Sequence, residues 1–384
     1  MRGFAVLALL PLALGAPVII PRAGQLIPGK WIVKMKDDVA GEILQEALNF
    51  LSVEPDHIYG IGSYQGFSST IDDAIVDLLS KLPGVEYIEQ DTIITTNTDI
   101  TQPGAPWGLG RISHKNPGST EYVYDDGAGE GTCSYVIDTG IYTGHSEFEG
   151  RATFLANYAG DLMNTDGNGH GTHVAGTIGG KTYGVAKKTK LFAVKVLNAG
   201  GSGSNSGVIA GINFVAKDAK TRSCPNGAVG NMSLGGSKNQ ATNDAVKAAI
   251  DAGVFMAVAA GNDGKDANNY SPASETTACT VGATDSDDAI ASFSNFGSVV
   301  DIFAPGVDIL SSWIGGTTAT NSISGTSMAT PHIAGLGAYL LKKDGKVSPA
   351  ELCARIKELA IKDAISGVPS DTVNYIAFNG NPSG

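Results

Sequence analysis

The sequence is poor in positive charge. Its 384 residues include 26 Lys and Arg against 38 Asp and Glu, which gives a formal net charge of −12. A surface that binds nucleic-acid phosphates must be basic, so this balance argues against a nucleic-acid partner. Glycine is abundant, at 51 residues, but it follows no Gly-X-Y period, which excludes a collagen-like chain.

Long apolar runs are also missing. A membrane-spanning helix needs roughly 20 apolar residues, and the N-terminal run from Phe4 to Leu14 is shorter and interrupted by Pro11. Arg2 precedes this run, and the small residues Gly15 and Ala16 follow it, which is the layout of a secretory signal peptide. The alternative is a buried first helix. We predict a signal peptide over residues 1–16, no membrane partner, and a secreted, extracellular protein.

Cysteine is scarce, and no CxxC pair or Cys/His cluster suggests a structural zinc site. The four cysteines, Cys133, Cys224, Cys279 and Cys353, all lie after residue 100. An exported chain matures in an oxidising compartment, so they are expected to form disulfides. Four cysteines allow three pairings, and their spacing does not choose among them.

Residues 28–93 have the pattern of a small separate domain. Strand-like segments at 31–36, 66–71 and 84–91 and amphipathic helical segments at 41–51 and 71–82 are interpreted as three of the four strands and both helices of a β-α-β-β-α-β order. The following stretch, 95–104, is polar and rich in turn residues. It is interpreted as an exposed linker, which is where processing enzymes cut.

After residue 107, short apolar runs alternate with helical segments. The runs at 133–138, 190–197, 228–234, 253–260 and 278–284 suit a parallel sheet buried on both faces. Helical segments at 206–220 and 241–253 lie between them, as βαβ connections require. The predicted fold class is α/β, a doubly wound and mostly parallel sheet preceded by a small α+β domain. Chemistry in such sheets gathers beyond the carboxyl ends of the strands.

Three residues are candidates for catalysis at the carboxyl edge of this predicted sheet. Asp138 ends an apolar run before a Thr-Gly turn, although a single such aspartate is usually only a turn residue. His170 lies in the glycine-rich segment DGNGHGTHVAG. Ser327 follows a Gly-Thr turn and precedes an apolar stretch, where most serines are helix caps. An alternative role for His170 and His173 is a metal pair, but HxxH lacks the spacing of the HExxH zinc motif.

Together the three residues form a specific pattern. They occur in the order Asp, His, Ser with separations of 32 and 157 residues, as in the subtilisin triad. The motifs VIDTG, HGTHVAG and GTSMATPH resemble those of subtilisin-like serine proteases. The segments TYGVAKKTKLFAVKVL, NYSPASE and SFSNFGSVVDIFAPG resemble the proteinase K-like fungal subtilases. GAPWGLGRISH and VNYIAFNGNPSG are similar to cuticle-degrading proteases of insect- and nematode-infecting fungi.

The residue types fit acyl transfer. A serine hydroxyl is a weak nucleophile until an adjacent imidazole removes its proton, which would be the role of His170. Asp138 would hold that imidazole in the correct tautomer and stabilise its cation. Asn262, in the turn AAGND, resembles the family's oxyanion-hole asparagine, and the alternative is an ordinary turn residue. The backbone N–H of Ser327 would be the second oxyanion donor.

The resemblance also implies a zymogen. Residues 17–99 resemble the inhibitory propeptide of subtilases, which would act as an intramolecular inhibitor. The peptidase domain would cover residues 100–384 and be released by self-cleavage near Ile100. We expect the protein to act as a monomer on protein and peptide substrates.

A substrate cleft is implied as well, in which two segments bind an extended peptide as an added strand. Its residues would be Gly201, Ser202, Gly203, Ser233, Leu234 and Gly235. The first three could instead form only a flexible loop. A glycine-walled, uncharged pocket implies a large apolar or aromatic residue before the scissile bond.

The family's pairing implies disulfides Cys133–Cys224 and Cys279–Cys353. A structural calcium ion is implied too, held by the carboxylate of Asp301 and by the carbonyls of Thr276 and Ala278. Asn231 and Asn269 begin glycosylation sequons, and the first lies in a predicted core strand and is expected to be unused.

The leading hypothesis is a secreted serine endopeptidase that acts on extracellular proteins. The alternative is a catalytically inert binding protein with the subtilisin fold, which the intact triad and the propeptide argue against. A lipase or esterase would need a GxSxG motif, whereas Ser327 lies in GTSMA.

Overall fold

The computed structural model describes residues 15–21, 25–37, 41–93 and 99–384. Nearly all of the predicted signal peptide and residues 95–98 of the predicted linker lie outside these ranges. The chain divides into two compact units, Met1–Thr96 and Asn97–Gly384. The predicted domain boundary at residues 99 and 100 lies three residues further along. Within the described ranges, no helix is both long and apolar enough to cross a membrane.

The first unit is a five-stranded sheet with two helices. Its strands are β1 (Val18–Ile19), β2 (Gln25–Met35), β3 (His57–Ile61), β4 (Tyr64–Thr70) and β5 (Val85–Ile93), and its helices are α1 (Gly41–Asn49) and α2 (Asp73–Ser80). The sheet order is β1-β5-β2-β4-β3, with β2 antiparallel to both β4 and β5. Side chains such as Val33, Phe67 and Leu79 form its core. The elements from β2 to β5 follow the predicted β-α-β-β-α-β order.

In the described part of the second unit, nine of the fifteen strands form one sheet, and the other six form three two-stranded pairs. Its strands are β6 (Asp99–Gln102), β7 (Tyr122–Asp125), β8 (Cys133–Asp138), β9 (Ala152–Asn157), β10 (Lys190–Lys195), β11 (Ala228–Met232), β12 (Gly236–Ser237), β13 (Val254–Ala259), β14 (Tyr270–Ser271), β15 (Cys279–Thr284), β16 (Ile302–Pro305), β17 (Ile309–Ser312), β18 (Thr320–Ile323), β19 (Ile361–Lys362) and β20 (Tyr375–Ile376). Its helices are α3 (Trp107–Ser113), α4 (His170–Gly179), α5 (Asn205–Thr221), α6 (Gln240–Asp251), α7 (Thr326–Lys343) and α8 (Pro349–Leu359).

The nine strands run in the order β19-β20-β16-β15-β13-β11-β8-β10-β9, and every neighbouring pair except β19 and β20 is parallel. The residues of β8, β11, β13 and β15 are all buried, because helices cover both faces of the sheet. Helices α4 and α7 pack with Val136 in one cluster, and α5 and α6 pack with Tyr135 in the other. This arrangement confirms the predicted doubly wound α/β fold.

The sheet brings the chemically interesting positions to one edge. Asp138 is the last residue of β8, α4 begins at His170, and α7 begins one residue before Ser327. Strand ends and helix N-termini therefore meet at the carboxyl edge of the sheet, as expected for this fold.

Two disulfides tie helical and loop segments to the amino ends of strands. Cys133, the first residue of β8, is bonded to Cys224, and Cys279, the first residue of β15, is bonded to Cys353 in α8. These are the two pairs that the resemblance implied. Asn231 is fully buried in β11, whereas Asn269 is exposed.

Candidate active site

A hydrogen bond joins the carboxylate of Asp138 to the imidazole of His170. Asp138 is fully buried at the end of β8, and its Oδ1 lies 2.8 Å from His170 Nδ1. The same oxygen accepts the backbone N–H of Thr139 at 2.7 Å, which helps to hold that oxygen in place. A carboxylate only accepts, so Nδ1 carries the proton and Nε2 is left as the acceptor. That is the tautomer that a general base requires.

The backbone before His170 requires a glycine. Gly169 has φ of 109°, in the left-handed region that other residues rarely adopt, and a Cβ there would lie 2.4 Å from the indole ring of Trp313. Any larger residue would push the start of α4 away from the indole. Gly169 therefore helps to position the imidazole.

A second carboxylate organises the loop between the strand and the helix. Asp166 is buried and accepts five hydrogen bonds of 2.6–2.9 Å, from the hydroxyls of Thr139 and Thr172 and from the backbone N–H groups of Asn168, Gly169 and Thr172. Through Thr139 it holds the end of β8, and through Thr172 it holds the first turn of α4. Asp166 thus fixes the relative position of Asp138 and His170, a role that the sequence analysis missed although the residue lies in the quoted motif.

Ser327 is half-buried in the first turn of α7. Among the described residues, its Oγ donates to the Ser233 carbonyl at 3.1 Å rather than to His170. The Ser233 hydroxyl in turn donates to the Ser327 carbonyl at 2.7 Å. The first backbone N–H groups of a helix have no intrahelical acceptor. The Ser327 N–H is therefore available to a bound oxygen.

Asn262 is held beside Ser327 by its own side-chain oxygen. Asn262 Oδ1 accepts the Thr326 backbone N–H at 2.8 Å and the Thr326 hydroxyl at 2.9 Å. Two donors on one atom identify that atom as the oxygen and leave the Nδ2 group as the donor. Asn262 and Ser327 line the same cavity, so an amide donor and the Ser327 N–H are both available there.

The surroundings change the basicity of the histidines. Burial lowers the pKa of His170, but the attraction and hydrogen bond of Asp138, aided by the charge of Asp166, outweigh it and raise the pKa above the usual 6.5. Burial lowers the pKa of His173 and of His332 to about 4, so both are neutral at ordinary pH. His173 bonds through Nε2 to the Ile309 carbonyl at 2.8 Å. His170 and His173 therefore have separate partners, which does not favour a metal pair.

All six predicted substrate-binding residues line one cavity of about 640 Å³ together with His170. Gly201, Ser202 and Gly203 come from the loop after β10, and Ser233, Leu234 and Gly235 follow β11. Sequence reasoning missed several further lining residues, including Asn168, Thr242 and Ser271. They have no shared motif, because they reach the cavity from distant parts of the chain: the turn before α4, the first turn of α6, and β14.

An adjoining cavity of about 370 Å³ includes Asn262 and Ser327 in its lining and shares Leu234 and Gly235 with the first. Asp263 also lines this second cavity. The Asp263 carboxylate raises the pKa of the neighbouring Tyr270 through a side-chain hydrogen bond, with smaller contributions from burial and charge. The cavity lined by the six predicted residues has no Asp, Glu, Lys or Arg in its lining, and the expected preference for a large apolar residue stays a prediction.

The residues at Asp301 do not fit a calcium ion in this arrangement. Lys357 Nζ donates to Asp301 Oδ1 at 2.8 Å, and the Thr280 N–H donates to Oδ2 at 3.0 Å. Calcium takes six to eight oxygen ligands, whereas here an ammonium group already lies on the one carboxylate of the expected set. The turn with Thr276 and Ala278 adjoins this place, directly before β15.

Comparisons with known proteins agree on one group of enzymes. Residues 129–378 match the model of the subtilase family. The chain is 54% identical over 387 residues to a cuticle-degrading protease of Metarhizium anisopliae, covering 98% of this chain and 99% of that one. It is 57% identical over 393 residues to the subtilisin-like serine protease AsES of Sarocladium strictum, covering all of both chains. It is 61% identical over 298 residues to proteinase T of Parengyodontium album, covering 78% of this chain and all of that one.

A solved structure has the same fold. A cold-adapted subtilisin-like serine proteinase superposes with a TM-score of 0.68 at 44% identity, covering 72% of this chain and 98% of that one.

Proposed function

This chain belongs to the subtilase family and is a serine protease of the proteinase K-like group, and from that premise we propose that Asp138, His170 and Ser327 are its catalytic triad. The observation that carries the proposal is the 2.8 Å contact between His170 Nδ1 and Asp138 Oδ1, which leaves Nε2 free to act as a base. Asn262 is the proposed side-chain donor for the oxyanion.

In the proposed reaction, rotation of the Ser327 side chain moves Oγ from the Ser233 carbonyl to His170 Nε2. Oγ then attacks the carbonyl carbon of the scissile peptide bond, and its proton passes to Nε2. The imidazolium is stabilised by the Asp138 carboxylate, which remains ionised. The carbonyl oxygen, now negative, accepts hydrogen bonds from Asn262 Nδ2 and from the Ser327 N–H.

Collapse of this intermediate breaks the C–N bond. The proton on His170 Nε2 goes to the leaving amine, and an acyl ester remains on Ser327 Oγ. His170, neutral again, takes a proton from water, whose oxygen attacks the ester in the same oxyanion site. The C–Oγ bond then breaks, the proton on Nε2 returns to Ser327 Oγ, and the acid half of the substrate is released.

The decisive experiment replaces Ser327 by alanine in the full chain. We expect the uncleaved precursor to accumulate and peptide hydrolysis to disappear, because nucleophile and self-processing are lost together. The matched control is Ser322→Ala, an exposed serine in β18 of the same segment. Normal maturation and hydrolysis in the Ser327→Ala chain, with an unchanged melting temperature, would refute the catalytic assignment.

The two units support a proposed zymogen with an inhibitory first unit. The second unit includes β6 (Asp99–Gln102), which pairs with β7. Cleavage near Ile100 would therefore separate the units and leave most of β6 in the peptidase. N-terminal sequencing of protein collected from the culture medium tests both secretion and processing. A first residue near Ile100 is expected, and a secreted protein that still begins at Ala16 or Pro17 would contradict self-processing.

For specificity, we propose a large apolar or aromatic residue before the scissile bond. The glycines and alanines that line the cavity beside Ser327 leave room for such a side chain. Asp263 lies at the same cavity and adds a place for a basic residue. Cleavage of a peptide library by the mature enzyme tests this, and a preference for acidic or small residues at that position would refute it.

A further inference from the structure

The disulfide Cys279–Cys353 fixes the face that α8 turns towards the sheet. Cys353 and Lys357 are four residues apart on α8, so their side chains lie on the same face of the helix. The disulfide ties this face to the first residue of β15. Lys357 lies in the last turn of α8, where the helix dipole favours a positive charge. Its ammonium group is therefore directed to the edge where β15 and β16 begin.

Asp301 meets that ammonium group from the neighbouring strand. It directly precedes β16, and its backbone N–H donates to the Thr280 carbonyl at 2.9 Å. The Thr280 N–H returns a hydrogen bond to Asp301 Oδ2 at 3.0 Å, while Oδ1 lies 2.8 Å from Lys357 Nζ. The Asp301 side chain is 20% exposed and that of Lys357 36% exposed. Each carboxylate oxygen thus has a defined donor, and the negative charge has one defined cation.

The disulfide lies directly beside the Asp301 carboxylate. The sulfurs of Cys279 and Cys353 and a carboxylate oxygen of Asp301 all lie within 4.8 Å of one another. Sulfurs in a disulfide are not thiolates, and metal ions bind cysteine as thiolate. This cluster therefore gives a metal ion one carboxylate, already shared with an ammonium group, and no further anionic ligand.

We propose that Lys357 is the built-in cation of this site and takes the place that the family resemblance gives to calcium. The charge of Asp301 is neutralised from within the chain, by a group whose position the disulfide fixes. Asp301 consequently stabilises the fold whether or not calcium is present. The ion pair also fastens the end of α8 to the edge of the sheet, beside the disulfide.

The test is a double-mutant cycle, measured by thermal unfolding in a chelator and again in excess calcium. The variants are Lys357→Met, which keeps the length of the side chain, Asp301→Asn, and the two together. All carry Ser327→Ala so that autolysis cannot distort the curves. The matched control is Lys247→Met, which removes an exposed ion pair of the same 2.8 Å length in α6.

Each single variant is expected to lower the melting temperature by about 1–3 °C. The double variant is expected to fall no further than the larger single loss, and the losses are expected to be equal in chelator and in calcium. The Lys247→Met control is expected to change the melting temperature by less.

Two results would overturn the proposal. One is an Asp301→Asn loss that is several times larger in calcium than in chelator, which would place a calcium ion on Asp301. The other is a double variant whose loss of melting temperature equals the sum of the two single losses, or single variants that show no loss. Either result would show that Lys357 and Asp301 are not coupled. If calcium raises the melting temperature equally with and without Asp301→Asn, the ion binds elsewhere, and the proposal is supported.

Discussion

Replacing Asn262 by alanine is expected to slow hydrolysis with little change in substrate binding. The side chain has two separate tasks. Its Oδ1 accepts the N–H and hydroxyl of Thr326, and its Nδ2 is free to meet the oxygen that becomes negative during attack. The second task exists chiefly in the transition state, so its loss should lower kcat rather than raise KM.

The two tasks predict effects of different size. A preorganised oxyanion donor is worth about 2.7–4 kcal/mol, a magnitude measured on the equivalent asparagine of a subtilisin and carried over to this chain. At about 1.36 kcal/mol per decade, kcat should fall roughly 10²–10³-fold. Loss of the Oδ1 bonds removes a cap from the start of α7 and should cost about 0.5–2 kcal/mol of stability.

Steady-state kinetics on a chromogenic peptide, paired with thermal unfolding, separates these effects. The matched control is Thr326→Val, which removes one of the bonds to Oδ1 and leaves Nδ2 in place. It should lose stability but keep kcat within about tenfold of the parent. The reasoning is refuted if Asn262→Ala loses stability while its kcat stays within tenfold, because the residue would then be only a cap.

Two further predictions concern pH and the disulfides. Only neutral His170 can take the Ser327 proton, and its pKa is raised, so the rising limb of kcat/KM should have its midpoint above pH 6.5. The charged and titratable groups around this imidazole are Asp138, Asp166 and the neutral His173. Replacing Asp166 by Asn removes one negative charge and should therefore move the midpoint to lower pH. A midpoint that stays or rises would contradict this. Replacing Cys133 and Cys224 by serine opens a link across 91 residues and should lower the free energy of unfolding by about 2–4 kcal/mol in urea titrations, and an unchanged value would show that the link does not restrain the unfolded chain.

Five central strands of the second unit, β8, β10, β11, β13 and β15, could be predicted closely from sequence. The predicted strand at 133–138 has the same first and last residues as β8, because its residues are largely apolar and a Thr-Gly turn follows at once. The run at 190–197 was predicted two residues too long, since Val196 and Leu197 continue the apolar pattern after β10 has ended. Their backbone N–H groups bond instead to the Asp138 carbonyl, at 2.9 and 3.2 Å. An apolar pattern indicates that a segment is buried, but it does not show where the hydrogen bonds to the neighbouring strand end.

Parts of the candidate site could not be predicted from the sequence. Asp166 lies in the motif around His170, yet its five hydrogen bonds depend on where β8 and α4 come together. The charge of Asp263 in the pocket was missed because sequence does not show which side of a turn faces a cavity. The pairing of Lys357 with Asp301 joins residues 56 positions apart, from a helix and a strand edge.

The sequence by itself determined the fold class, the order of five central strands of the second unit, and the identity of the candidate nucleophile, base and orienting acid. These follow from local patterns, apolar runs and short motifs, that persist in any conformation of the chain. Only the tertiary structure decided which donors meet which acceptors: the Ser327 hydroxyl on the Ser233 carbonyl, the Asn262 oxygen on Thr326, and a lysine on Asp301. Hydrogen bonds and ion pairs act over about 3 Å, so they are settled by packing, not by position along the chain.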